Sequence, residues 1–407
     1  MPALLSRIRV LDLSRVFAGP FASQMLADFG ADVIKVERPR VGDETRYHGE
    51  RVRDGEGRET DVTAAFASMN RGKRSVTVDI SRPEGQDIIR ALAARSDVLI
   101  ENFKAGELAR YGLDYASLQA VNPRLIYCSI TGFGQTGPRS GEPGYDLVFQ
   151  AMSGVMSITG HPDGEPGAGP LRVGYSVSDI TASYHAVVAI LGALYAREAG
   201  VCSGQHIDVA LLDTQIAAAS HVAMQYLLTG VQPARLGSGS HFMAPYQVFQ
   251  CSDHPLVILC GNDAQFRSLA KALGREDLAA DLRCATNPQR LRHREWLAQE
   301  IQALVGTRPR AEWLEVFRGA GVPCAPIYDF AQAFDDPQVR HRNLVMSMPF
   351  GPTGSLPMIA NPLRFSGTSP VYERPPPGLG EHTEEVCTNL LGMPPERIAA
   401  LRREGIV

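Results

Sequence analysis

The sequence lacks the patterns that most simply announce a cofactor. None of its seven cysteines (128, 202, 251, 260, 284, 324 and 387) lies in a C-x-x-C pair, so neither a zinc-ribbon nor a thioredoxin-like motif is present. An odd, scattered set fits free thiols in a reducing compartment. The ten histidines show no H-x-x-H or H-E-x-x-H spacing, and no metal site is expected. There is no Walker A sequence and no G-x-S-x-G elbow, which removes the usual signatures of a P-loop enzyme and of an α/β-hydrolase. No run of about eighteen apolar residues occurs, so a spanning helix is not expected. The opening MPALLSRIRVLDLS is charged by Arg7 and has no long apolar stretch, unlike a signal peptide.

An excess of one charge is also missing. Forty Lys and Arg stand against 44 Asp and Glu, for a net charge of −4, and the two signs are interspersed. Nucleic-acid and membrane-surface partners favour a clustered basic face, so neither is expected. What is present is ordinary for a globular enzyme: 407 residues, 44% hydrophobic and 21% charged. That length suits two or three domains, and a cytoplasmic location is expected.

Short β-branched runs alternate with helical patterns over the first two hundred residues. Arg9 to Leu13, Ala31 to Glu37, Ser75 to Ile80, Asp97 to Glu101 and Leu125 to Ile130 read as strands. Phe21 to Phe29 and Arg82 to Arg95 read as helices between them. Strands apolar on both faces and separated by helices predict a mostly parallel sheet covered on both sides, a Rossmann-like α/β domain. Thr181 to Glu198 reads as a long alanine-rich helix, His206 to Leu212 as a strand and Gln215 to Leu228 as a helix. A glycine and serine loop, GVQPARLGSGSHF, then leads into a smaller α/β unit. The expected division is 1–224 for the large domain, 225–325 for the small one, and 326–407 returning to the large one.

A dinucleotide site would need glycines in the first strand-to-helix turn, but Arg15-Val16-Phe17-Ala18-Gly19-Pro20 holds one. The chemistry-bearing residues that stand out are carboxylates. Asp179 sits just before a long apolar helical pattern, where an aspartate is ordinarily an N-cap. The same position suits a nucleophile, because helix N-terminal amides stabilise negative charge. Asp146, in GYDLVFQAMSG, is a second carboxylate with the same two readings.

Several segments, in order along nearly the whole chain, resemble the class III CoA-transferases of the CaiB/BaiF family. They are RVFAGPFASQMLADFGADVIKVERP (15–39), GDETR (42–46), NRGKRSVTVDI (70–80), DVLIENFKAGELARYGL (97–113), YCSITGFGQTGP (127–138), GYDLVFQAMSG (144–154) and RPPPGLGEHTEEV (374–386). Two more, HFMAPYQVFQ (241–250) and GVPCAPIYDF (321–330), resemble the succinyl-CoA:glutarate branch.

The resemblance implies a homodimer of interlocked rings, with acyl-CoA and a carboxylic acid as substrates and no tightly bound cofactor. It places the nucleophile at Asp179. It implies CoA contacts at Val16, Ala18, Arg38, Lys73, Arg74, Asn102, Phe103 and Arg110, which suits a ligand rich in phosphate. Gly237 and Gly239 would belong to a loop closing over the site. Formyl-CoA transferases carry glutamine where Phe17 stands, which argues against oxalate. α-Methylacyl-CoA racemases carry a histidine where Tyr145 stands; a tyrosine, poorly matched to proton transfer at neutral pH, would instead orient a carbonyl oxygen. Arg46, Arg172 and Arg235 are candidates for the far carboxylate of a dicarboxylate such as glutarate or itaconate. Alternatives are a formyl-CoA:oxalate-type transferase, a racemase, and a CoA-binding protein without turnover. With an ordinary pKa of about 3.9, Asp179 would be ionised at neutral pH and need no base.

Overall fold

The computed structural model describes residues 3–351 and 353–407. Six strands form its main sheet: β1 (Arg9–Asp12), β2 (Asp32–Glu37), β3 (Lys73–Thr77), β4 (Val98–Glu101), β5 (Ile126–Thr131) and β6 (Gln205–Ala210). Their spatial order is 6-5-4-1-2-3, and every neighbouring pair is parallel. This is the doubly wound order, and the direction of winding reverses between β1 and β4.

The two-residue period of the strands accounts for the two covered faces. Val10, Val33, Val98 and Ile100 point to one side, where they meet Ala22 and Leu26 of α1 (Ala18–Asp28). Leu11, Ile34 and Leu99 point to the other, against Ile88, Ile89 and Leu92 of α2 (Pro83–Ala93). Both faces of the central strands are covered, so β1, β4 and β5 bury nearly every residue. The short helix α3 (Asp146–Met152) and the 22-residue α4 (Val177–Glu198) complete the first side. By length and composition α4 is the one described helix that could cross a membrane. Its alanine-rich inner face, Ala182, Ala186, Ile190 and Ala193, is buried in the sheet's core.

The chain forms two compact units. The larger comprises 1–153, 173–219 and 337–407, and the smaller 154–172 and 220–336. In this division 154–172 belongs to the smaller unit. That unit holds the antiparallel strands β7 (Tyr246–Gln250), β8 (Pro255–Leu259) and β9 (Cys324–Pro326). Its core packs Phe249, Ile258, Phe266, Leu297 and Ile301 around Trp313 and Phe317, whose rings stack at 5.0 Å.

The expected helix from Gln215 to Leu228 is split between Leu211–Ala218 and Ser220–Thr229. In the smaller unit a second helical stretch is likewise interrupted, between Asn287–Arg292 and α5 (Arg294–Val305). At the second break His293 leaves helical geometry, with φ −113° and ψ 23°. The buried Arg290 beside it is drawn to the carbonyls of Ala244 and Cys284 and to Asp263. Tertiary hydrogen bonds there override helix propensity.

Candidate functional site

The switch between β1 and β4 is where an open α/β sheet presents its binding crevice. Four of the residues expected to touch CoA gather there. The amide of Asn102 and the backbone of Arg15 exchange two hydrogen bonds, N–H to Oδ1 at 3.0 Å and Nδ2–H to O at 2.7 Å. This ties the end of β4 to the turn after β1. The Arg15 guanidinium lies over the Phe103 ring at 5.4 Å. Within the same turn Val16 has φ 68°, a left-handed conformation that costs a β-branched residue about 1–3 kcal/mol. Ala18 opens α1, and its carbonyl accepts a bond from Ser183 Oγ of α4 at 2.7 Å. Gly19 is required by close approach, because a Cβ there would lie 2.2 Å from the Ser14 side chain.

Beneath the turn lies a buried ionic layer. Lys35 Nζ donates to Asp43 Oδ2 and to the Ser14 carbonyl, both at 2.9 Å. Lys73 Nζ donates to Asp12 Oδ2 at 3.0 Å, to the Pro20 carbonyl at 2.9 Å and to Asn70 Oδ1 at 2.8 Å. All three protons of Lys73 are therefore satisfied inside the protein, and burial pulls its pKa down to about 8. It supports the turn from below and has no donor left for a phosphate. Arg74 is likewise engaged, with Asp32 and Glu385. Arg38 and Arg110 are exposed, and neither guanidinium has a protein partner among the described residues.

Arg46 is also occupied. It is buried, forms a two-pronged pair with Glu37 at 2.8 Å, and reaches Asp61 and the carbonyl of Pro377 with its remaining donors. Its five N–H groups all have partners, so it holds the fold and offers an acceptor carboxylate nothing.

Asp179 lies in the first turn of α4, but it is not the cap. The N-cap is Ser176, and the backbone N–H of Ser178 donates to Asp146 Oδ1 at 2.7 Å. The other Asp146 oxygen accepts from Gln150 Nε2 at 2.6 Å, and Gln150 in turn accepts from the Val173 N–H at 2.8 Å. Asp146 thus takes the capping role proposed for Asp179. The Asp179 carboxylate has no hydrogen-bond partner among the described residues. Burial, together with repulsion from Asp146, pushes its pKa up to about 7. The carboxylate is therefore far more basic than the ordinary aspartate the sequence suggested. Tyr145, the N-cap of α3, is 75% exposed and its hydroxyl has no protein partner among the described residues.

The smaller unit has its own cleft of about 800 Å³, lined by Arg172, Gly237, Gly239, Tyr246 and Arg294 among others. Arg172 is exposed and unpaired among the described residues. Arg235 is not: it pairs with Asp163 and donates to the His161 carbonyl. Gly237 adopts φ 59°, and its N–H donates to the Gly160 carbonyl at 3.0 Å. That bond anchors one end of the glycine loop.

Sequence reasoning passed over Asp43 and Lys35, whose places on a strand and in the GDETR turn gave no sign that they meet. It also passed over Gly132-Phe133-Gly134-Gln135-Thr136-Gly137, which spells G-x-G-x-x-G directly after β5. No α-helix opens from that segment before Asp146, so the dinucleotide geometry is not formed. Close packing accounts for Gly132, where a Cβ would lie 2.5 Å from the Phe149 ring. Among the described residues no group of three or more His, Cys, Asp or Glu is arranged to hold a metal.

Known proteins match the chain along nearly its full length. The chain is 45% identical to a succinate–glutarate CoA-transferase of Agrobacterium fabrum, covering 95% of both chains. It is 40% identical to an acetyl-CoA:oxalate CoA-transferase of Acetobacter aceti, covering 90% of each. Its fold matches the crystal structure of a CaiB/BaiF family protein from Brucella suis with a TM-score of 0.83 and 41% identity, over 96% of this chain and 100% of the other. The profile of CoA-transferase family III matches residues 5–383, and the chain belongs to that family and is an enzyme of that class.

Proposed function

We propose that the enzyme moves CoA from succinyl-CoA to a free dicarboxylate such as glutarate or itaconate, with Asp179 as the nucleophile. The observation that carries this reading is the Asp179 carboxylate itself. It is half-buried, without a hydrogen-bond partner among the described residues and basic, while its neighbour Asp146 is fully occupied. A carboxylate of that kind is poised to attack rather than to hold structure. The named activity of the Agrobacterium relative supplies the substrate class.

In the proposed sequence an Asp179 oxygen attacks the thioester carbonyl and CoA thiolate leaves, forming a succinyl-aspartyl anhydride. The thiolate then attacks the aspartyl carbonyl, releasing succinate and leaving an aspartyl-CoA thioester. An oxygen of the acceptor carboxylate attacks that thioester and expels the thiolate again. Thiolate attack on the acceptor's carbonyl gives the new acyl-CoA and restores Asp179. Each step exchanges one acyl bond for another, so no resident cofactor or metal is invoked. The anhydrides react with water, so closure of the glycine loop around Gly237 and Gly239 would protect them.

CoA is placed along the turn at Val16 and Ala18, past Asn102 and Phe103, with Arg38 and Arg110 as the free cations for its phosphates. Lys73 is assigned to the support of that turn, while Arg74 is held by Asp32 and Glu385. Arg172 is assigned to the remote carboxylate of the acceptor, and Tyr145 to a substrate carbonyl oxygen. Exposed apolar side chains on α4, Val188 at 71% and Tyr195 at 77%, support a partner chain, and an interlocked homodimer in the cytoplasm is the assembly proposed.

The test is a coupled assay of succinyl-CoA against a panel of free acids: glutarate, itaconate, oxalate, acetate and propionate. Preference for the C5 dicarboxylates is expected. Preference for acetate or propionate would overturn the acceptor assignment. Oxalate is the competing acceptor, favoured by the Acetobacter relative, and the same panel decides between them.

A further inference from the structure

We propose that Asp43, held by Lys35, is a positioning residue for acyl-CoA, fixing Val16 in its left-handed conformation and so setting the contour of the turn after β1. The inference rests on the proposed placement of CoA at Val16 and Ala18. A valine at φ 68° persists only where its surroundings over-determine it. Here they do so through charge. The Val16 N–H points at Asp43, 3.2 Å from each carboxylate oxygen. Asp43 is itself immobilised: Oδ1 accepts from the Thr45 N–H at 2.9 Å and from its hydroxyl at 2.7 Å, and Oδ2 takes Lys35 Nζ at 2.9 Å. The same Nζ grips the Ser14 carbonyl at 2.9 Å. One buried ion pair thereby clamps the turn at two points, Ser14 by the cation and Val16 by the anion.

Stability alone does not call for this construction. A fully buried ion pair is often no more stabilising than apolar residues of the same volume, and Lys35 and Asp43 have side-chain exposures of 0% and 1%. Glycine would take the left-handed conformation without strain. The chain instead keeps a valine and a charged clamp to hold it, at the switch point where the crevice opens. The arrangement fits preorganisation of a binding surface, with the strain held by groups that never reach the ligand.

The test compares wild type, Asp43→Asn, Val16→Gly and the double variant in the full chain. Affinity for free CoA is read by calorimetry, and KM for succinyl-CoA and for glutarate by assay. Asp43→Asn is expected to weaken CoA affinity and raise the succinyl-CoA KM by about tenfold or more, with the glutarate KM moving less than about twofold. Adding Val16→Gly to Asp43→Asn is expected to recover at least about threefold of the CoA affinity, because glycine needs no clamp. A merely structural Asp43 predicts no such recovery. Should Asp43→Asn fail to fold, Asp43→Glu keeps a charge for Lys35 while displacing the carboxylate from Val16, and the same rise in the succinyl-CoA KM is expected. A folded variant with CoA affinity within about twofold of wild type, or a loss that glycine does not recover, overturns the role of Asp43. A wild-type chain without CoA affinity overturns the placement of CoA at the turn, and this inference with it.

Discussion

The carboxylate of Asp146 accepts a hydrogen bond from the backbone N–H of Ser178 at 2.7 Å, and so caps the helix that carries Asp179. The consequence is a division of labour between two acids brought together from different helices. Asp146 satisfies the helix end and stays engaged with Gln150. Asp179, one residue beyond the capped amide, keeps its carboxylate for chemistry. The charge on Asp146 also disfavours ionisation of Asp179 and helps burial to raise its pKa to about 7.

Replacing Asp179 by asparagine is expected to abolish CoA transfer and to stabilise the fold. Its carboxyl pKa is raised from 3.8 to about 7 on folding. Between those values the folded chain holds a proton that the unfolded chain releases, so wild-type stability falls as pH rises through that window. Asparagine escapes the loss. Melting at pH 8 should show the variant more stable by about 1–2 kcal/mol, after allowing for the residue's partial exposure. Below about pH 4 the difference should vanish. No cap is lost, so destabilisation at pH 8 would contradict this reading.

The pH profile of kcat/KM for acyl-CoA is expected to rise with deprotonation of Asp179 and level off above its pKa of about 7. Asp146→Asn removes one of the two causes of that high pKa. The ascending limb should then move to lower pH without reaching the ordinary aspartate range, since burial remains. The same variant weakens the cap and should lower stability by about 0.5–2 kcal/mol. An unmoved limb would separate Asp146 from the tuning of Asp179.

Arg46 and Arg172 should behave differently. Arg46→Met leaves Glu37 buried without its two-pronged partner, and should cost about 3–5 kcal/mol of stability while affecting every acceptor alike. Arg172→Met should melt like wild type but raise the KM for dicarboxylates about tenfold, with monocarboxylates little affected. Steady-state kinetics with glutarate and propionate checks both.

Gly19→Ala is expected to damage acyl-CoA binding more than stability. The new methyl would drive into Ser14, whose carbonyl is gripped by Lys35. The strain should pass directly into the turn. A KM for succinyl-CoA raised several-fold, with the glutarate KM near wild type, is the outcome to look for.

The sheet was legible because its strands are buried on both faces. Runs such as VLD, DVIKVE and VLIE announce parallel strands once helical patterns separate them, although propensity does not specify their spatial order. Asp179 was legible as a carboxylate before a long helix, but its role as a cap was misassigned, since the cap is supplied by Asp146 from 32 residues earlier. Arg46 and Lys73 read as substrate-binding cations, though both are occupied inside the protein. Sequence spacing carries no information about Glu37 or Asp12 folding onto them. Long-range pairing of charges is what one sequence does not reveal.

The most direct measurement is to trap the acyl-enzyme. Wild-type protein is incubated with succinyl-CoA, quenched with hydroxylamine or borohydride, digested, and its peptides weighed by mass spectrometry. Hydroxamate or reduced product on the peptide containing Asp179 is expected, and its absence in Asp179→Asn. An unmodified Asp179 in enzyme shown to turn over under the same conditions, or modification at another carboxylate, would contradict a covalent aspartyl pathway through this residue.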